Sequence, residues 1–151
     1  MKKILIIGRT SYIGRNLKKW LDSYSQKYDV DVVSARNGEW ENIDFGKYQI
    51  IVNLAGIAHI NNVKKNMRNL FYCVNRDLVI RIALKAKKQG VHQFIHFSSM
   101  NVYGDICNNI QDRNDVNPTS FYGDSKLQGD IELKKLESSD FLISYIRPPF
   151  V

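Results

Sequence analysis

Five strand-length apolar runs, "KKILIIG" (2–8), "VDVVSA" (30–35), "YQIIVNLAG" (48–56), "VHQFIHFSS" (91–99) and "FLISYIRPP" (141–149), recur along this chain with longer segments between them. Three intervening segments carry apolar residues at helical spacing: Tyr12 to about Tyr28, with Ile13, Leu17, Trp20 and Leu21; about Leu70 to Gln89; and Tyr122 to about Ser138. Short β-rich runs joined through helices imply crossover connections, hence parallel strands buried on both faces. The pattern predicts an α/β domain: a doubly wound parallel sheet of about six strands in three α/β/α layers. Gly104 to Ser120 reads as a long loop that delivers the chain to the third helix.

Length and composition agree with one such domain over residues 1–151. The hydrophobic share, 44% of 151 residues, is enough to build a core. No apolar run reaches the roughly 20 residues needed to cross a bilayer, and "ILIIG" near the start lacks a cleavage site. A cytoplasmic protein without membrane contact is therefore expected. Cys73 and Cys107 have no metal-site spacing and are expected to be inert, with no metal bound. The net charge of +7 raises the question of nucleic acid. Its lysines and arginines, however, are spread over helical segments such as "ALKAKKQG" and "ELKKLE", which reads as solvated helix faces rather than a nucleic-acid site.

In an open parallel sheet, ligands sit beyond the carboxyl ends of the strands. The first such end carries Gly8-Arg9-Thr10-Ser11-Tyr12-Ile13-Gly14. A dinucleotide turn needs a first glycine for the bend, a bare backbone at the pyrophosphate, and a third glycine where helix meets strand. Gly8 and Gly14 suit the first and third roles, and Ser11 stands in the middle one, where a Cβ narrows the approach. A plain strand-to-helix turn would look much the same.

Taken together, Gly8-x-x-Ser11-x-x-Gly14, "NLAG" at 53–56, Asn75, "FSSMNVYG" at 97–104, Tyr122-x-x-x-Lys126 and "RPP" at 147–149 resemble, in that order, the extended short-chain dehydrogenases/reductases. Within these, the chain is similar to the NAD-dependent epimerase/dehydratase group, and "NLAGIAH" and "RPPFV" look most like sugar 4-ketoreductases and 4-epimerases of surface-polysaccharide synthesis. The resemblance implies a Rossmann-like fold, an NAD(P) cofactor and a nucleotide-sugar substrate. It also implies cofactor contacts from Gly8, Arg9, Ser11, Tyr12, Ile13, Gly14, Arg36, Leu54, Ala55, Gly56, Asn75, Tyr122, Lys126 and Pro148. Asp44-Phe45 resembles the family's adenine-contacting pair. A homodimer is left open.

Tyr122–Lys126 is the one place where a tyrosine precedes a lysine by four residues, a spacing that 8 tyrosines would supply about once by chance. On a helix, however, such a pair shares one face. A free phenol loses its proton near 10, too high for a base at neutral pH, and an ammonium about 4 Å away at an effective dielectric near 20 offsets roughly 4 kcal/mol of that barrier. The expected roles are proton exchange by Tyr122, tuning and ribose contact by Lys126, and, by family alignment, a hydrogen bond to the reacting oxygen from Ser99 rather than Ser98. His59, His92 and His96 read as packing or solvent residues, and Tyr103 as structural.

At the end of the second strand an acidic residue would favour NAD, whereas "VVSARNG" offers Ser34 and Arg36, with Arg9 nearby. Two guanidiniums and no carboxylate favour NADP modestly. Relatives continue past "RPPFV" into a region that closes over the nucleotide sugar. The expectation is thus a cofactor-binding part whose C-terminal substrate domain is absent, and which does not turn over alone. A non-catalytic NAD(P)-binding sensor or interaction module is the alternative. A basic RNA-binding domain rests on charge alone.

Overall fold

A computed structural model of the protein describes residues 1–58, 67–104, 110, 112 and 115–149. His59, Cys107 and the end of "RPPFV" lie outside the described residues. The elements are β1 (Lys2–Ile7), α1 (Tyr12–Asp22), β2 (Tyr28–Val33), β3 (Ile50–Asn53), α2 (Arg68–Tyr72), α3 (Val79–Lys88), β4 (Gln93–Phe97), α4 (Phe121–Lys134) and β5 (Leu142–Ile146). A π-helical turn, Cys73–Leu78, joins α2 to α3 without a break. None of the described helices is long and apolar enough to cross a membrane.

The strands pair in the order β2-β1-β3-β4-β5, every pair parallel. Alternation within the strands sorts two cores. Ile4, Ile6, Val30 and Val52 face α1 and its Leu21, while Leu5, Ile7, Ile51 and Phe94 face Val79, Ile82, Ala83 and Ala86 of α3 and Leu133 of α4. This is the period-2 side-chain rule acting on a sheet covered from both sides.

The described residues form five strands, in keeping with the sheet of about six expected; between β2 and β3 the chain makes only short 3₁₀ turns, Arg36–Asn42 and Phe45–Lys47, whose Trp40 and Phe45 fill the second core. One expectation is corrected in detail. The first helix ends at Asp22, not near Tyr28, because the Ser23 hydroxyl and backbone N–H both turn back onto the Trp20 carbonyl (2.6 and 3.2 Å) and close the last turn.

Strand order reverses direction between β1 and β3: from β1 the chain goes out to β2, then returns past β1 to β3. The loops after these two neighbours run to opposite faces and leave a crevice at their carboxyl ends.

Candidate functional site

The crevice begins at Gly8, whose φ of +135° disfavours any side chain and where a Cβ would stand 3.0 Å from Leu54 Cβ. At Gly14 a Cβ would stand 3.0 Å from the Gly8 carbonyl oxygen. Two close approaches thus fix these positions as glycine. Ser11 is the N-cap of α1: its hydroxyl accepts the Gly14 N–H at 3.2 Å. The middle position of the turn therefore has a structural use for a hydroxyl.

From this turn a cleft of about 560 Å³ extends over the sheet, lined by Ser11, Tyr12, Ile13 and Leu54 at one end. Ser99, Tyr122, Lys126 and Pro148 line the other, with Gly56 also on its wall. Ser99 is buried and follows β4; its hydroxyl accepts the Asn101 N–H at 3.2 Å. The adjacent Ser98 turns its hydroxyl away and donates to Asp130 at 2.8 Å. Successive residues at a strand end point to opposite sides.

Helix α4 starts at Ser120, whose hydroxyl accepts the Gly123 N–H at 3.0 Å. Its Tyr122 ring packs on Phe71, with centroids 6.4 Å apart. Among the described residues the Tyr122 hydroxyl forms no hydrogen bond, so the expected link to Ser99 is a shared cleft and not a direct contact. One turn on, Lys126 is buried and donates to the Phe97 carbonyl at 3.0 Å. Burial pulls its ammonium down to about 8, and Asp130 acts in the opposite direction.

Not every expected cofactor residue reaches the cleft. Asn75 is fully buried in the π turn, and its amide accepts from the Ile57 N–H (2.9 Å) and donates to the Ile57 carbonyl and to Ser125 Oγ (3.0 Å each). It shapes the loop after β3 from behind. Asp44 and Phe45 are also displaced from expectation. The Phe45 ring is in the core, its N–H donates to Gln89 at the end of α3 (2.7 Å), and Asp44 caps the turn that follows. Since Gln89 leads into the start of β4, this pair sits toward the amino ends of the strands, opposite the glycine turn. Ala55 is buried behind the cleft wall.

Near β2, Arg36 is exposed just past the strand end. Arg9 pairs with Glu39 at 3.1 Å, both half exposed. The expectation of two guanidiniums and no carboxylate is thereby corrected. Glu39 follows the strand end by six residues, and the 3₁₀ turn, with Asn37 and Gly38 at positive φ, folds it back.

Sequence reasoning also missed a buried polar group beneath the cleft. Asp130 accepts from Ser98 and from Arg147 Nη2 (2.9 Å) and Nε (3.3 Å), and Arg147 Nη1 donates to Tyr103 Oη at 2.6 Å. His96 Nε2 stands 3.6 Å from the other Asp130 oxygen, and its Nδ1 lies 3.2 Å from the Asn53 amide nitrogen. Since the Asn53 amide oxygen accepts the Ala55 N–H, its NH2 donates to Nδ1 and the proton of the imidazole resides on Nε2. Burial, then Lys126 and Arg147, holds His96 well below its ordinary range. Its spacing of four residues between Lys126 and Asp130 was the available signal.

Comparison with known proteins adds the family. The model described as NAD dependent epimerase/dehydratase family matches residues 4–149. An uncharacterized protein of Sinorhizobium fredii is 26% identical over 98% of this chain and 41% of its own length. Among solved structures, UDP-glucuronic acid 4-epimerase from Bacillus cereus, in complex with UDP-glucuronic acid and NAD, superposes with a TM-score of 0.79 at 21% identity, covering 96% of this chain and 55% of that one. A dTDP-4-dehydrorhamnose reductase from Bacillus anthracis, in complex with NADP, gives 0.77 at 20% identity, covering 96% and 53%. These likenesses share the fold. The chain spans about half the length of each of these structures, and less of the curated relative.

Proposed function

The chain belongs to the NAD dependent epimerase/dehydratase family, and on that premise we propose that residues 1–151 are the cofactor-binding part of an enzyme that oxidises, reduces or epimerises a nucleotide sugar, in the supply of sugars for surface polysaccharide. The observation that carries this reading is the convergence on one cleft of the glycine turn, Gly56, Ser99, Tyr122, Lys126 and Pro148, which come from five separate stretches of sequence.

The residues fit a nicotinamide dinucleotide. A Cβ at Gly8 would meet Leu54 and one at Gly56 would meet the Lys126 ammonium, and Ser11, Tyr12 and Ile13 at the N-terminus of α1 line the cleft, where they would hold a pyrophosphate. NAD(P), when bound, supplies the redox chemistry, the hydride carrier that the protein lacks. What the chain adds is positioning and proton transfer. Tyr122, with its oxygen unengaged by described residues, exchanges a proton with a sugar hydroxyl or ketone at the cleft mouth. Ser99, fixed by the Asn101 N–H, shares the reacting oxygen. Lys126, its ammonium held by the Phe97 carbonyl on the same cleft, would hold ribose hydroxyls. Arg36, exposed just past the end of β2, favours a 2′-phosphate and hence, modestly, NADP, while Arg9 is engaged by Glu39.

The test is a binding titration of this chain with NADPH, NADH and a structured RNA. Saturable binding of the dinucleotides with no competing affinity for RNA is expected; no binding of either dinucleotide ends the reading. A nucleotide-binding module without turnover is the second reading, favoured by the missing Tyr122–Ser99 hydrogen bond. Conversion of a nucleotide sugar by a polypeptide carrying this segment with its continuation, abolished by Tyr122→Phe, selects the enzyme.

A further inference from the structure

The buried polar group under the cleft has no part in the reactions considered so far, yet it touches every segment that forms the cleft's reactive end. Asp130 lies one turn beyond Lys126 on α4 and is 5% exposed. Ser98, which donates to it, is the residue before Ser99. Arg147, which forks onto the same oxygen and onto Tyr103, is the residue before Pro148, whose carbonyl in turn accepts the Met100 N–H at 3.2 Å. The end of β4, the end of β5 and α4 thus converge on one carboxylate. An apolar residue of similar size would fill the space but could not satisfy Ser98 and Arg147.

We propose that Asp130 is the positioning residue of the cleft's reactive end: its carboxylate fixes the segments that carry Ser99 and Pro148 and provides the counter-charge for Lys126. This rests on the reading of the cleft as a nicotinamide-nucleotide site. Among the described residues Lys126 donates to the uncharged Phe97 carbonyl, and Asp130, one turn on along the same face of α4, is the carboxylate that offsets its burial. The charged and titratable groups around Asp130 are otherwise Arg147 and Tyr145 from β5 and its end, His96 from β4, Tyr103 from the turn after β4, and Lys134 and Glu137 at the far end of α4. His96 is held neutral and Arg147 is already paired, so neither substitutes for the carboxylate toward Lys126.

Titration of Lys126 in lysine-labelled protein by NMR, its signal assigned by loss in Lys126→Met, tests this alongside NADPH titration of the same samples. Wild type should titrate near 8. In Asp130→Asn the proton affinity of Lys126 should fall tenfold or more, and NADPH should bind at least tenfold more weakly at pH 7. Should Asp130→Asn fail to fold, Asp130→Asn/Arg147→Gln removes both charges of the pair; their effects on Lys126 oppose, so in that variant NADPH affinity is the readout in place of the midpoint. A folded Asp130→Asn whose Lys126 midpoint is unchanged, or either folded variant whose NADPH affinity is unchanged, overturns the proposal. If wild type itself binds neither dinucleotide, the cofactor reading fails, and the Lys126 midpoint alone still decides the role of Asp130.

Discussion

Lys126 and residue 56 compete for one space: a Cβ on Gly56 would stand 2.9 Å from the lysine Nζ and 3.2 Å from Asn75 Oδ1. The ammonium occupies a position that exists because residue 56 has no side chain. Gly56→Ala is therefore a probe of the site more than of the fold. The atom displaced first is the end of a flexible chain, so stability should fall by no more than about 1–2 kcal/mol. Dinucleotide affinity should fall at least tenfold. Thermal melts and NADPH fluorescence titration on the same variant separate the two effects, and equal affinity would mean that Lys126 does not contact the cofactor.

The burial of Lys126 also carries a pH signature. Its folded midpoint, about 8, lies below that of an unfolded lysine near 10.4, so between these values the unfolded chain binds the extra proton. Stability from this residue must then rise with pH across that window and be lowest below it. The difference in unfolding free energy, wild type minus Lys126→Met, should increase from pH 7.5 to pH 10 in urea titrations. A flat difference would place the ammonium in water.

Ser11 separates capping from cofactor approach. Ser11→Ala removes the acceptor for the Gly14 N–H and should cost about 1 kcal/mol, whereas Ser11→Gly should cost only a few tenths. The glycine variant also widens the turn, so its dinucleotide affinity should equal or exceed that of wild type. Weaker binding by Ser11→Gly would show that the hydroxyl itself contacts the phosphates.

Cofactor choice turns on Arg9, Glu39 and Arg36. Glu39→Gln frees the Arg9 guanidinium and should raise the NADPH-to-NADH affinity ratio. Arg36→Asp should lower it by about ten- to a hundredfold, the worth of one charge-assisted contact to a 2′-phosphate. An unmoved ratio in Arg36→Asp removes that residue from the site.

The parallel sheet, the bend at Gly8 and the shared cleft of Tyr122 and Lys126 were legible because each rests on local spacing: period 2 in strands, four residues on a helix, small residues at a strand end. The features that escaped depend on how distant segments close on one another. Asn75 looks like a ligand in a helix until the Ile57 backbone, 18 residues away, takes up its amide. Asp44-Phe45 lies at the wrong end of the sheet because the β2–β3 crossover is too short to keep it near the glycine turn. Glu39 reaches Arg9 through two residues at positive φ, a fold-back that "RNGEW" only hints at. Asp130 is one charge among many in "KLQGDIELKK" until Ser98 and Arg147 reach it.

The π turn at Cys73–Leu78 has one more residue per turn than the helices it joins. Loss of a single residue there would let the segment relax to α geometry, and because five α residues turn the chain through about the same angle as the six of the π turn, the helices on either side would keep their relative orientation. Phe71 would stay against Tyr122, while Asn75, which lies within the turn itself, would leave its hold on Ile57. A one-residue deletion in this turn is thus a local change to the wall behind the cleft, while the same deletion within α3 would turn one side of the helix against the other by about 100°.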